Sequence, residues 1–170
     1  LPSDFDEVIV SWDLTFKNSP TSDFVAGEAW GKKDGKFYLL DLINERCSFT
    51  ESLDLFALLC SKFPKAFAKL IEDKANGSAA IDALGKSGFS GIIPVNPVGS
   101  KEMRANRITP FFKAGNVLFP DPSCAPWIGK FVRQVTLFPN DEHDDMVDSM
   151  TQALDHLGSM AIQNWKGIYG

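Results

Sequence analysis

Residues 32–36 read Lys-Lys-Asp-Gly-Lys, and both neighbours of this run are rich in β-formers. Asp-Gly favours the tight two-residue turn of a β-hairpin, because both turn residues must adopt positive φ. The flanking runs, Phe24–Trp30 and Phe37–Ile43, are therefore expected to pair antiparallel. A third β-rich run precedes them, Glu7–Asp13, with Val8, Val10 and Trp12 on one face and Ile9, Ser11 and Asp13 on the other. The chain is thus expected to open with a three-stranded meander, which excludes an all-helical fold.

The rest of the chain alternates. Thr50 is expected to start a helix, with Leu53, Phe56, Ala57 and Cys60 at helical spacing and Pro64 past its end. Leu70–Asp73 reads as a fourth strand, Gly77 to Leu84 as a helix, and Gly91–Val95 as a fifth strand. Ser100–Phe112 reads as a helix, Asn116–Phe119 as a short strand, Ala125–Phe138 as a helix and Asp141–Met160 as a long final helix. On that last helix Met146, Ala153, Leu154 and Leu157 fall on one apolar face.

Composition sets limits. The chain has 170 residues, 44% hydrophobic and 23% charged, which suits one domain with one substantial core. Its 14 Phe residues predict an aromatic core. The three cysteines, Cys47, Cys60 and Cys124, are odd in number and match no zinc spacing, so a reducing compartment is expected. No apolar run is long enough for a membrane span. The chain starts Leu-Pro-Ser-Asp-Phe-Asp, without an initiator Met. It is expected to be one domain, 1–170, excised from a longer protein. A net charge of −5 argues against a purely electrostatic nucleic-acid binder, unless bound cations reverse the local field.

Acids fall at the ends of elements. Asp13 closes the first strand, Glu72-Asp73 closes the fourth, and Asp144, Asp145 and Asp148 open the last helix. Each alone has an ordinary role, as a loop residue or a partner of the helix dipole. Together they suit hard divalent cations: Mg²⁺ and Mn²⁺ prefer oxygen ligands, and packed carboxylates repel one another until a cation neutralises them. Asp73 is favoured over Glu72 because it shares the face of Ile71. Asp145 is favoured at the helix, with Asp148 one turn on. Lys101, Arg104, Arg107 and Lys113 form a basic cluster opposed by Glu102; Lys101, Arg104 and Arg107, with Lys74 beside the second acid, are the candidate phosphate contacts. Lys130 and Arg133 form a second, smaller group.

The element order resembles that of a ribonuclease H-like domain. The residues resemble the C-terminal nuclease domain of tailed-phage terminase large subunits over nearly the whole chain. Val10-Ser11-Trp12-Asp13-Leu14-Thr15-Phe16-Lys17 with Ser22-Asp23-Phe24 is similar to the family's first motif. Tyr38-Leu39-Leu40-Asp41 resembles its third strand, and Ile71-Glu72-Asp73-Lys74-Ala75-Asn76-Gly77 its second acidic motif. Lys101 to Arg104 falls at a basic Lys-x-x-Arg. Phe138-Pro139-Asn140 with His143-Asp144-Asp145-Met146-Val147-Asp148 looks like the closing motif.

The resemblance implies an α/β, ribonuclease H-like fold: a central mixed five-stranded or slightly larger sheet with helices on both faces. It implies an endonuclease that cuts double-stranded viral DNA during packaging by two-metal hydrolysis, with little sequence specificity. Asp13, an acid of Glu72-Asp73, and one of Asp144, Asp145 and Asp148 would hold two Mg²⁺ or Mn²⁺ ions. Expected partners are duplex DNA, an ATPase domain in the full-length protein, a portal and a small terminase subunit, at the procapsid in host cytoplasm. The isolated domain is expected to be monomeric and to make no membrane contact. No Gly-x-x-x-x-Gly-Lys-Ser/Thr loop is present, so ATP hydrolysis is not expected of this chain. A junction resolvase, a transposase core or a non-catalytic docking module are the alternatives.

Overall fold

The computed structural model describes residues 1–14, 23–74 and 76–169. Residues 15–22, part of the first motif, lie outside them. Six strands form one mixed sheet. In chain order these are β1 (Glu7–Asp13), β2 (Asp23–Lys33), β3 (Lys36–Cys47), β4 (Ala68–Glu72), β5 (Ile92–Val95) and β6 (Val117–Leu118). Across the sheet they run β5-β4-β1-β2-β3-β6. The helices are α1 (Phe49–Lys62), α2 (Asn76–Lys86), α3 (Lys101–Lys113), α4 (Ile128–Leu137) and α5 (Asp145–Tyr169). The expected α/β sheet with helices on both faces is present, with β6 as its sixth strand.

The meander forms where the sequence places it. Asp34 and Gly35 take φ of 49° and 74°, the two-residue turn that Lys33↔Lys36 pairing requires. β2 and β3 run longer than their apolar cores, because their outer residues pair with each other beyond the end of β1. β4 lies parallel to β1, and β5 parallel to β4.

Strand alternation sorts the core into two layers. Ile9, Ala26, Trp30, Ala68 and Leu70 pack on one face with Ile108 of α3, Phe131 of α4, and Met146, Ala153, Leu154 and Leu157 of α5. Val10, Trp12, Val25, Ala29 and Ile71 pack on the other face with Phe56 and Leu59 of α1 and Ala80 and Leu84 of α2. Cys47 and Cys60 are buried in this second layer, and Cys124 is exposed; all three are free thiols. No helix among the described residues is long and apolar enough to cross a membrane.

Two helix starts differ from the expectation. α1 is capped by Ser48, not Thr50: the Ser48 hydroxyl accepts from the Glu51 amide while the Glu51 carboxylate accepts from the Ser48 amide. α5 starts at Asp145 rather than Asp141, and the side chain of Gln134, from α4, accepts from the Met146 amide. That cap comes from another element and has no local sequence signal.

Candidate active site

A polar clasp fixes α5 on β1. The Ser11 hydroxyl donates to the Ser149 carbonyl at 2.8 Å, and the Ser149 hydroxyl donates back to the Ser11 carbonyl at 2.9 Å. Gln152 adds a bond to the Ser11 hydroxyl at 3.0 Å. Farther along, Lys32 of β2 donates to the Leu157 carbonyl, so α5 runs antiparallel to β1. This register decides which acids meet. Asp13 lies two residues beyond Ser11, about 6.6 Å along the strand. Asp145 lies four residues before Ser149, about 6 Å along the helix and on the same helical face. Both acids therefore stand level at one end of the clasp. Asp13 is only 4% exposed. Burial raises the Asp145 carboxyl above its ordinary value, against its own backbone hydrogen bond, and the neighbouring Asp144 charge adds to the rise.

The fourth strand brings in the second acid. Trp12 pairs with Ile71, so Asp13 and Glu72 follow side by side. Ile71 packs in the α1–α2 layer, whereas Leu70 packs in the α5 layer. By alternation Glu72 belongs to the face that carries Asp13 and α5. Glu72 and Asp148 line one cavity of about 350 Å³ together with Arg104, Gln152 and His156. Asp73 indeed shares the parity of Ile71, but that is the other face. Its carboxylate accepts the Ser78 hydroxyl at the start of α2. Glu72, and not the expected Asp73, therefore shares the sheet face of Asp13 and α5, a choice of face that is not legible without the packing of α5.

Asp148 is also better placed than its position on the helical wheel suggests. It is 7% exposed, and its two oxygens are held by Arg104 at 2.5 Å and Lys101 at 2.6 Å. Lys101 also reaches Asp144 at 2.6 Å. Burial opposes the Lys101 ammonium, but its hydrogen bonds to Asp144 and Asp148 prevail and its pKa lies above the ordinary lysine value.

The four basic residues expected to meet phosphate are all engaged by acids. Lys101 and Arg104 hold Asp148, Arg107 holds Asp155 at 3.1 Å, and Lys74 holds Glu72 at 3.2 Å. Arg104 is itself buried. The Lys-x-x-Arg pair thus faces the acids of α5. Among the described residues no three His, Cys, Asp or Glu side chains converge as a group able to hold a metal ion.

The profile of the family described as terminase RNaseH-like domain matches residues 10–157. The chain belongs to this family. Curated proteins gave no match. Among solved structures, the large terminase nuclease of thermophilic phage G20c with bound zinc superposes with a TM-score of 0.67 at 19% identity, covering 88% of this chain and 80% of that one. The same nuclease with bound magnesium gives 0.68 at 16% identity, covering 88% and 80%. The large terminase of thermophilic bacteriophage D6E in complex with ATP-γ-S gives 0.70 at 12% identity. This alignment covers 91% of the present chain but only 41% of the D6E protein. At these identities the superpositions establish the terminase RNaseH-like fold.

Sequence reasoning missed two polar features on this face of the sheet. The clasp of Ser11, Ser149 and Gln152 carries no motif, since the serines are 138 residues apart. Glu28, directly across from Ser11 on β2, is fully buried and receives the Trp30 indole N–H at 2.6 Å. Its only sequence signal is an acid on the inward parity of a central strand.

Proposed function

We propose that this chain is the nuclease domain of a phage large terminase and hydrolyses phosphodiester bonds of double-stranded viral DNA during packaging. The observation that carries this reading is the register of three elements: Asp13 and Glu72 end neighbouring strands on one face of the sheet, and the Ser11–Ser149 clasp sets the start of α5, with Asp145 and Asp148, across that same face. Two of these carboxylates are almost wholly buried. Buried carboxylates need a compensating cation. Here Lys101 and Arg104 supply it for Asp148 and Lys74 for Glu72, which supports a site built around positive charge.

The donors are hard oxygens and suit Mg²⁺ or Mn²⁺. A divalent pair bound there would activate water and stabilise the leaving 3′ oxygen. Asp13, Glu72, Asp145 and Asp148 are the residues that would hold it. Asp13 is central because it adjoins Glu72 on one side and stands level with Asp145 on the other. The Ser11–Ser149–Gln152 clasp keeps the strand and helix in register, so that acids from two elements stay aligned. Binding through backbone phosphate would give cleavage of low sequence specificity. In this reading the chain works within a longer protein carrying an ATPase domain. A portal and a small terminase subunit are its partners at the procapsid in the host cytoplasm.

Plasmid cleavage in Mn²⁺ tests the proposal. The parent should nick and linearise supercoiled DNA. Asp13→Asn and Glu72→Gln should each slow cleavage by about 10²–10³-fold, the loss typical of removing charge stabilisation from a reacting centre. Asp73→Asn should retain most activity. Undiminished cutting by Asp13→Asn would sink the reading, and loss confined to Asp73→Asn would move the site to the other face.

A further inference from the structure

Lys101, Arg104 and Arg107 of α3 and Lys74, just past β4, are engaged by acids, so the duplex backbone needs other partners. The opposite flank of the α5 start supplies them. Phe24 of β2 lies beyond the row of Asp13, Ala26 and Asn44, on the same face of the sheet. It lies about 7 Å from that row, two residues along the strand. Its cross-strand partner is Arg46. The Arg46 guanidinium stands 4.8 Å from the ring centre, and the Lys130 ammonium, from α4, stands 4.8 Å from it as well. His143, two residues before Asp145, meets the same ring edge-on at 4.8 Å.

Neither Arg46 nor Lys130 is in an ion pair among the described residues, and both are exposed. The acids nearby do not neutralise them. Asp41 is held by Lys62 at 2.8 Å, and Glu45, beside Lys130 in a shallow groove, makes no ion pair with it. An aromatic face attracts each cation by about 0.5–1 kcal/mol at an exposed site but satisfies none of its N–H donors. Two like charges gathered on one ring repel each other, and an anion between them relieves that repulsion. The planar guanidinium fork matches a phosphate in particular.

We propose that Arg46 and Lys130, gathered around Phe24, bind backbone phosphate of duplex DNA beside the acidic centre. The inference rests on the nuclease reading and adds the side from which DNA approaches: over β3 and α4, not over α3. The platform lies within about two nucleotides of the acids, taking about 3.4 Å of axis per nucleotide in each strand. Phosphate contacts position the strand and read no bases.

Fluorescence anisotropy with a labelled duplex of a few helical turns tests this, with EDTA present so that no strand is cut. Arg46→Ala and Lys130→Ala should each weaken binding about tenfold at low salt. Each should also reduce the slope of log affinity against log salt by about one, the signature of a lost phosphate contact. Arg107→Ala, which removes a cation already paired with Asp155, should change affinity less than about twofold. Both platform side chains are exposed, so unchanged thermal melting should accompany the loss. If the parent binds and cuts DNA while the double variant binds equally well, the platform is overturned and the nuclease reading stands. If Arg107→Ala carries the loss instead, the duplex lies over α3 and the platform is again overturned. A parent that neither binds nor cuts duplex overturns both.

Discussion

Lys101 illustrates what one side chain does at this centre. Its ammonium bridges Asp144 and Asp148 at 2.6 Å each, and Arg104 takes the other oxygen of Asp148. In the proposed function a divalent ion and Lys101 compete for the same carboxylate oxygens. Lys101→Met keeps the aliphatic stem and removes the competitor. In EDTA the variant should lose about 1 kcal/mol or less, since Lys101 is half-exposed and Arg104 still holds Asp148. Its Mn²⁺ affinity, measured by calorimetry, should rise several-fold. An unchanged or weaker affinity would show that Lys101 does not stand in the ion's place. The family resemblance singles out Lys101 and Arg104 as a Lys-x-x-Arg pair. It does not show that Asp148, 44 residues from Arg104, faces them. Local spacing reports which residues share a helix face; it carries no information on which distant element that face meets.

At the scale of elements, periodicity locates every strand and helix that positions the site, and the misreadings fall at their ends. Ends are set by non-local partners: Gln134 for α5, the β2–β3 pairing beyond β1 for the long strands, and the packing of Ile71 for the face of Glu72. The β4–α2 turn is such an end, and it holds Glu72. A Cβ at Gly77 would sit 1.9 Å from the Glu72 carbonyl oxygen, a backbone atom that cannot swing aside. Gly77→Ala should therefore cost about 1–3 kcal/mol, as overpacking does, and should displace Glu72. At Gly85, inside the same helix, an added methyl would meet nothing within 4 Å, so Gly85→Ala should stabilise by about 0.5–1 kcal/mol through backbone entropy alone. Thermal melting should move in opposite directions for the two variants, and only Gly77→Ala should lose plasmid cleavage. Equal shifts would mean that the turn yields and that Glu72 is not held by it.

The molecule as a whole buries ionisable groups on both faces of its sheet, and their signs agree. On the α5 face, burial holds the Glu28 carboxyl well above the usual carboxylate range, against the opposing hydrogen bond from Trp30. One of its oxygens has no protein partner among the described residues. On the α1–α2 face, burial first, then acidic neighbours, raises the Cys47 thiol from 9.0 to about 11; burial also lifts Cys60 to about 11, against Lys69. In each case the folded protein prefers the protonated, neutral form more than the unfolded chain does. The stability this contributes is fully present below the unfolded pKa and is lost as pH rises through the folded one. For Glu28 the loss begins above the carboxylate value of 4.5; for the thiols it falls between 9.0 and about 11. The net charge of −5 grows more negative over the same range and adds self-repulsion. Urea midpoints should therefore fall on the alkaline side. Glu28→Gln, which mimics the neutral carboxyl, should raise the midpoint at neutral pH, and Cys60→Ala should flatten the fall above pH 9.0. A midpoint that stays level to pH 11, with both variants tracking the parent, would mean that the core admits these charges without cost.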